Sequence, residues 1–176
     1  LGKHIIPAFL HTKAVDNINI LDLCFGLGFN TLATILHFQK HSQKTKINIF
    51  SPELDVALIE SLSDFTYPEE FSEQLFILRE IVKSGRYQSG HITVELFLGD
   101  ARKYVKQFRN GFFDIIYQDA FSPENNPALW TTEHFRELRR VIKPDGILTT
   151  YSIALKVRIA LHENGFFVYL HKAQDI

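Results

Sequence analysis

The feature that most constrains the fold is a repeated alternation of short apolar runs with longer amphipathic runs. The apolar runs are typical of buried strands and lie at 18–23, 46–50, 92–98, 112–117, 147–151 and 166–170. Amphipathic runs between them predict helices at 31–38, 55–62, 101–108, 131–142 and 153–163. Strands and helices that alternate in this way form βαβ units with right-handed crossovers. We therefore predict an α/β fold with a mostly parallel sheet flanked by helices.

Two prolines and one longer segment interrupt this alternation. Pro52 is expected to end the second strand, and a turn at 144–146 is expected before the fifth. Residues 64–90 contain a loop followed by an amphipathic helix at about 71–83. Because 176 residues suffice for one ordinary domain, we predict a single domain, 1–176, with a helical insertion at about 64–90.

Composition narrows the class of protein. The chain is 45% hydrophobic and 22% charged, with a net charge of −1, which gives no global sign of nucleic-acid binding. No apolar stretch approaches the roughly 20 residues of a membrane span, and no signal peptide is visible. The single cysteine, Cys24, fits a reducing compartment and a packing role. These features favour a soluble cytoplasmic protein with no metal site. Since the chain contains no Met, Leu1 is not expected to be its natural start.

A glycine-containing turn follows the first predicted strand. Ligands of open α/β sheets bind beyond the carboxyl ends of the strands, and Gly26 and Gly28 would let the backbone pass close to such a ligand. Two glycines alone are a weak sign of a nucleotide site. Thr31 stands where a dinucleotide fingerprint has its third glycine, which disfavours NAD. We assign Phe25, Gly26, Gly28, Asn30 and Thr31 to a cofactor loop.

Acidic residues follow the next two predicted strands of the parallel set. Glu53 could accept hydrogen bonds from the hydroxyls of a ribose, or be a solvated surface glutamate, with Asp55 as the fallback. Asp100, followed by Ala101, could accept a hydrogen bond from an adenine amino group or cap the next helix. Both roles of Asp100 are compatible, and the sequence leaves them open.

A carboxylate and a rigid aromatic loop follow the strand at 112–117. Gln118 and Asp119 end this strand, and the pattern suits a wall that holds a planar, amine-bearing group beside a reactive carbon. The alternative is a surface turn with an Asx-type Asp119. The loop side chains suited to such a wall are Phe121, Pro123, Asn126 and Trp130. Acids at the strand ends and no clamp for a pyrophosphate suit S-adenosylmethionine better than NAD.

Three segments carry a resemblance to a known family. Residues 21–31, Leu-Asp-Leu-Cys-Phe-Gly-Leu-Gly-Phe-Asn-Thr, resemble the cofactor loop of the methyltransferase family that completes 5-methylaminomethyl-2-thiouridine in tRNA. Residues 117–123, with Asn-Pro at 126–127 and Leu-Trp-Thr at 129–131, are similar to its second signature, and 146–152 to its closing segment. The resemblance covers about 21–167. It implies a Rossmann-like class I methyltransferase fold whose last strand is missing from the predicted elements, and S-adenosylmethionine as cofactor.

The resemblance also implies a reaction. A stand-alone methyltransferase domain, without the FAD-dependent oxidase domain, would methylate the aminomethyl nitrogen of 5-aminomethyl-2-thiouridine in the tRNA anticodon loop. Asp119 would be catalytic, either orienting the amine or, with a raised pKa, acting as its base. Gln118 and Asp119 would also border the cofactor.

Two alternatives remain open from the sequence. The first is a methyltransferase or aminopropyltransferase that acts on a small-molecule amine, which the net charge of −1 mildly favours. The second is a methyltransferase-like binding module without activity, against which the retention of Glu53, Asp100 and Asp119 argues.

Overall fold

The computed structural model describes residues 4–12, 16–41 and 44–171. Its helices are α1 (Ile5–His11), α2 (Phe29–His41), α3 (Val56–Ser61), α4 (Leu75–Ser84), α5 (Ala101–Val105), α6 (Thr132–Val141) and α7 (Leu155–Glu163). Its strands are β1 (Asn17–Leu23), β2 (Lys46–Glu53), β3 (Arg86–Ser89), β4 (Ile92–Leu98), β5 (Phe113–Gln118) and β6 (Ile142–Thr150). Short 3-10 helices lie at Leu62–Asp64, Glu69–Gln74 and Pro127–Leu129.

The strands form one sheet with the order β3-β4-β2-β1-β5-β6. Only β3 is antiparallel to its neighbour among the described strands, so the sheet is mostly parallel, as the sequence predicts. In the centre, Ile20 of β1 lies opposite Ile49 of β2 and Ile115 of β5. The strand at the switch in connection order is thus β1, with β2 on one side and β5 on the other.

Helices cover both faces of the sheet because the central strands are apolar on both faces. On β1, Ile18 and Ile20 belong to one buried cluster and Leu21 and Leu23 to another. The first cluster includes residues of α1, α2 and α4, and the second includes residues of α5, α6 and α7. The core therefore fixes β1, and with it the turn that follows β1.

Two of the expected strand breaks are wrong. β2 continues through Pro52 to Glu53, because the ladder with β1 ends at the Leu21–Phe50 pair and the missing N–H of proline costs no bond there. The carbonyl of Pro52 instead accepts a hydrogen bond from Phe25 N at 3.1 Å. The predicted turn at 144–146 is an irregularity inside β6, where the register with β5 shifts.

The sixth strand is not the one predicted. Residues 166–170 pair with no strand in the described part of the chain, and Phe167 is 87% exposed. β3 takes the sixth place as a hairpin partner of β4, with a turn at Gly90. Its sequence, Arg-Tyr-Gln-Ser, has no apolar alternation, so the pattern could not reveal it. No helix among the described residues is long and apolar enough to cross a membrane.

Candidate active site

The carboxyl ends of the parallel strands bring the predicted residues to one edge of the sheet. The turn after β1 is tied to the end of β2, since Gly26 N donates to Glu53 Oε2 at 2.9 Å. The end of β4 joins the same edge, because Gly99 N donates to the carbonyl of Glu53 at 2.7 Å. The end of β5 is tied to α2 through Asn30 and Asp119. The sequence-predicted strand ends therefore form one continuous site.

The turn after β1 is built on left-handed backbone conformations. Gly26 has φ +54° and Gly28 φ +75°, and Cys24 adopts φ +67° although it is not glycine. A Cβ at Gly26 would meet only the carbonyl of Cys24, at 3.8 Å. A Cβ at Gly28 would lie 3.0 Å from the Phe25 ring and 3.2 Å from Leu78. Gly28 is therefore required by internal packing, whereas Gly26 opens to space that a ligand could occupy.

Glu53 is held rigidly by backbone N–H groups. Its Oε2 accepts from Gly26, and its Oε1 accepts from Leu54 N at 2.8 Å and from Asp55 N at 3.0 Å. A carboxylate offers about four acceptor positions, so these bonds leave room for about one more donor, such as a ribose hydroxyl. Asp55, the fallback residue, caps α3 by accepting from Leu58 N at 3.0 Å.

Asp100 lies at the end of β4 and caps α5. Its Oδ1 accepts from Arg102 N at 2.9 Å and from Arg102 Nε at 3.1 Å, and its Oδ2 lies 2.7 Å from Arg102 Nη2. The hydrogen bonds from the Arg102 guanidinium lower the pKa of Asp100 below its ordinary value. The structure thus realises the capping role, and Ala101 is the buried first residue of α5.

A buried carboxylate that the sequence did not single out connects β1 to the site. Asp22 is fully buried, with Thr31 Oγ1 donating to its Oδ2 at 3.0 Å and Asn30 Nδ2 donating to its Oδ1 at 3.2 Å. Burial raises the pKa of Asp22 to about 7. A carboxylate inside an apolar strand must find donors when buried, and that requirement is the signal that could have identified it.

Asp119 lies at the end of β5 and is held by two other elements. Asn30 Nδ2 of α2 donates to its Oδ2 at 2.9 Å, and His4 Nε2, at the start of α1, lies 3.0 Å from its Oδ1. The Asp119 side chain is 34% exposed, whereas His4 is 3% exposed. His4 precedes every predicted element, and no pattern in the sequence indicated it.

Gln118 anchors the loop that follows β5. It is fully buried; its Nε2 donates to the carbonyl of Leu129 at 2.7 Å, and its Oε1 lies 3.4 Å from His134 Nε2. Burial lowers the pKa of His134 to about 4, so its ring is neutral at physiological pH. The side chain of Gln118 therefore anchors the loop to the protein interior.

The loop presents only part of the predicted substrate wall. Phe121 is 73% exposed, while Trp130 is buried and donates from Nε1 to the carbonyl of Phe121 at 2.7 Å. Pro123 is buried, and Asn126 accepts from Leu129 N through its carbonyl at the start of the 3-10 helix. The buried Trp130 thus fixes the position of the loop, and the Phe121 side chain extends from the loop into solvent.

The potential at this edge of the sheet is negative. The pKa of the Cys24 thiol is raised to about 12, mainly by burial and in smaller part by the carboxylates of Glu53, Asp22 and Asp119. Because nearby negative charges disfavour a thiolate, the raised pKa of Cys24 indicates a negative electrostatic potential where a ligand would bind. S-adenosylmethionine carries a cationic sulfonium, so the residues present fit it.

A second concave region contains none of this chemistry. A cavity of about 910 Å³ lies between β6 and residues 165–171, and Arg139 and Arg158 contribute to its lining. Among the residues that the structure describes, no carboxylate lines this cavity.

Comparison with known proteins identifies the family of this chain. A family described as S-adenosyl-L-methionine-dependent methyltransferase matches residues 65–174. The crystal structure of MNMC2 from Aquifex aeolicus is similar with a TM-score of 0.80 and 30% identity, covering 95% of this chain and 53% of that one. The bifunctional protein MnmC of Azoarcus sp., named for tRNA 5-methylaminomethyl-2-thiouridine biosynthesis, is 32% identical over 85% of this chain and 25% of its own length. MJ0670 of Methanocaldococcus jannaschii is 31% identical over 88% of this chain and 42% of its own length.

The fold and the site define a Rossmann-like class I methyltransferase, as the sequence predicted. The chain belongs to the family of S-adenosyl-L-methionine-dependent methyltransferases, and its cofactor is S-adenosylmethionine. It spans a quarter of the length of the Azoarcus protein and about half of the Aquifex chain.

Proposed function

We propose that the protein transfers a methyl group from S-adenosylmethionine to the aminomethyl nitrogen of 5-aminomethyl-2-thiouridine at the tRNA wobble position. The observation that carries this proposal is the carboxylate of Asp119, which is partly exposed at the carboxyl edge of the sheet while Asn30 and His4 approach its two oxygens. The names of the MnmC relatives support the substrate class.

In this proposal the cofactor lies along the ends of β1, β2 and β4. Glu53 accepts one ribose hydroxyl with its remaining acceptor position, and the open face of Gly26 receives the adenosine. Asp100 and Ala101 border the adenine. The other residues assigned to the cofactor contribute to the shape of the proposed site. They are Phe25, Gly28, Asn30, Thr31 and Gln118.

Bound S-adenosylmethionine supplies an electrophilic methyl carbon on a cationic sulfur. In the proposed reaction the substrate nitrogen would displace S-adenosylhomocysteine from that carbon, and the methylated amine would then lose a proton to water. Holding nitrogen, carbon and sulfur in line can contribute several kcal/mol, up to about 7–11 in the best intramolecular models. The proposed task of Asp119 is therefore orientation.

Asp119 is better suited to accept a hydrogen bond than to remove a proton. An alkylamine resembles lysine and is a far stronger base than an ordinary aspartate. The donor from Asn30 and the contact with His4 stabilise the charged carboxylate. We infer that Asp119 accepts an N–H of the neutral amine and directs the nitrogen lone pair at the methyl carbon.

The exposed ring of Phe121 is the proposed stacking partner of the uracil. Stacking on an aromatic side chain contributes about 1–3 kcal/mol per base, and the wobble base must leave its anticodon stack to reach it. Trp130 and Pro123, being buried, hold the loop that carries Phe121, with Asn126 at its far end.

Mass spectrometry of nucleosides tests the proposal. tRNA that accumulates 5-aminomethyl-2-thiouridine is incubated with the protein and S-adenosylmethionine, and the wobble nucleoside is expected to gain one methyl group. tRNA without the aminomethyl group is the matched control and should gain none. The substrate assignment would be wrong if the protein bound the cofactor but left both tRNAs unchanged.

A small-molecule amine is the second candidate substrate, for either methyl or aminopropyl transfer. The negative field around Cys24 favours any cationic or amine-bearing substrate, not RNA in particular. tRNA affinity that falls steeply with salt would favour RNA, because phosphate contacts release counterions. An inactive binding module is tested by calorimetry, in which it would show no binding of S-adenosylmethionine.

A further inference from the structure

We infer that His4 is a positioning residue for methyl transfer, because it fixes the carboxylate of Asp119 from α1. This inference rests on the proposed role of Asp119 in the reaction. His4 lies outside the matched family segment, 65–174, and outside the residues that carry the sequence resemblance. Its assignment comes from its contacts alone.

His4 is built into the protein rather than placed on its surface. Its side chain is 3% exposed, and its neighbours in α1, Ile5 and Ala8, are also buried. Its ring packs against Tyr117 of β5, with ring centroids 5.8 Å apart. Its Nδ1 lies 2.8 Å from Thr149 Oγ1 of β6. These contacts fix the ring between two strands.

The contact with Thr149 is compatible with a proton on the ring nitrogen that lies near Asp119. If the Thr149 hydroxyl donates to Nδ1, a neutral ring carries its proton on Nε2; if the hydroxyl accepts, a protonated ring still has N–H at Nε2. The remaining tautomer would turn a lone pair toward the carboxylate and is disfavoured by repulsion. In both favoured states Nε2 carries a proton, and Nε2 lies 3.0 Å from Asp119 Oδ1.

Nε2 has no other role in the described structure. It is buried and makes no aligned hydrogen bond within residues 4–12, 16–41 and 44–171. A buried donor without a partner is costly, and Asp119 Oδ1 is within reach after a small rotation of either side chain. The 3.0 Å approach is therefore an electrostatic contact that can tighten into a hydrogen bond.

His4 and Asn30 hold different oxygens of the same carboxylate. Asn30 Nδ2 donates to Oδ2 at 2.9 Å, and His4 Nε2 faces Oδ1. One contact would leave the carboxylate free to rotate about the bond to that oxygen, whereas two contacts from separate helices define its plane. The carboxylate of Asp119 then has a fixed orientation toward the substrate amine.

Two isosteric variants separate positioning from packing. His4→Gln can return an N–H to the position of Nε2, whereas the shorter His4→Asn can reach only Thr149. We expect His4→Asn to lower kcat by roughly 10- to 100-fold, the range expected when a reacting group is misplaced. We expect His4→Gln to retain kcat to within about threefold, and both variants to leave the KM for S-adenosylmethionine nearly unchanged.

Controls and a second measurement keep the outcomes distinct. His162→Asn, on the exposed face of α7, is the matched control and should match the wild type. Equal kcat in His4→Asn and His4→Gln would overturn the inference. If wild-type protein did not methylate tRNA, the proposed function would fail. NMR spectra of 15N-labelled histidine would then test the contact between His4 and Asp119. Nε2 of His4 should carry a proton, and its resonance should shift in Asp119→Asn. A proton on Nδ1 alone, or no shift, would overturn the inference.

Discussion

Asn30 donates a hydrogen bond of 2.9 Å to Asp119 across the gap between α2 and the end of β5. The same nitrogen donates to the buried Asp22 at 3.2 Å. One amide therefore joins two carboxylates that would otherwise repel each other at short range. A glycine at this position of the cofactor loop would have no side-chain donor. The amide of Asn30 therefore has a physical role, which is to join the two carboxylates.

Replacing Asn30 with alanine removes this bridge. We expect Asn30→Ala to lower kcat by roughly 10- to 100-fold through misplacement of Asp119, and to destabilise the fold by about 1–3 kcal/mol because Asp22 loses a buried donor. Turnover assays and urea denaturation measure the two effects. Asn48→Ala is the control, since Asn48 also donates to two residues, Asn17 and Asn19, but at the opposite edge of the sheet. Equal turnover in the two variants would contradict the bridging role.

Asp119→Ala tests the reactive carboxylate itself. We expect methyl transfer to be abolished while the affinity for S-adenosylmethionine changes little, since Glu53 and the glycine loop remain intact. Calorimetry gives the affinity, and nucleoside mass spectrometry gives the turnover. Glu124→Gln, on the exposed part of the same loop, should retain both. Near-wild-type turnover in Asp119→Ala would remove Asp119 from the reaction.

Gly26→Ala tests whether the open face of the loop receives the cofactor. Gly26 and Gly90 have nearly identical φ values, +54° and +55°, and an added Cβ finds no atom closer than 3.8 Å at either position. The two substitutions should therefore cost similar stability, about 1 kcal/mol. Only Gly26→Ala should weaken cofactor binding. Unchanged affinity in Gly26→Ala would move the cofactor away from the loop. Gly28→Val is a poorer test, because its side chain would clash with Phe25 and Leu78 and reduce stability as well as binding.

The sequence was sufficient to predict the strands that are buried on both faces of the sheet. Strands such as β1 and β5 bury apolar side chains on both faces, as a parallel sheet covered by helices requires. The edge strand β3 was harder to predict, because its sequence is polar and it forms by pairing with β4. Residues 166–170 have a strand pattern but pair with no described strand. Local pattern predicts burial, whereas pairing depends on which neighbour is available.

The candidate site divides in the same way. Glu53, Asp100 and Asp119 could be predicted because they follow strands directly, and strand ends meet at one edge of a parallel sheet. Asp22 did carry a signal, because a carboxylate inside an apolar strand must find donors when buried. His4 could not be predicted, since its importance comes from a contact with a residue far away in the sequence. The roles of Trp130 and Gln118 also depend on side-chain direction, which places both in the interior.

The pH dependence of stability should reveal Asp22. Burial raises its pKa in the folded protein from 3.8 to about 7, so the folded state binds its proton more tightly than the unfolded state does. Its contribution to stability is full below about pH 4 and is lost as the pH rises through 7, with a slope of at most about 1.4 kcal/mol per pH unit. Asp22→Asn lacks this loss and should gain stability relative to wild type between pH 4.5 and 8. Urea denaturation at several pH values measures it, and parallel pH profiles would rule out the shift.

The reactivity of Cys24 reports the negative field directly, because it is the only cysteine in the chain. Burial, with the charges of Glu53, Asp22 and Asp119, raises its pKa from 9.0 to about 12. The thiolate is the reactive form, so alkylation by iodoacetamide at pH 8 should be roughly 1,000-fold slower than in the urea-unfolded protein. Glu53→Gln removes one charge but leaves the burial, and should therefore recover only part of the rate. Mass spectrometry follows the reaction, and equal rates in folded and unfolded protein would show that neither the burial nor the field at the loop is as described.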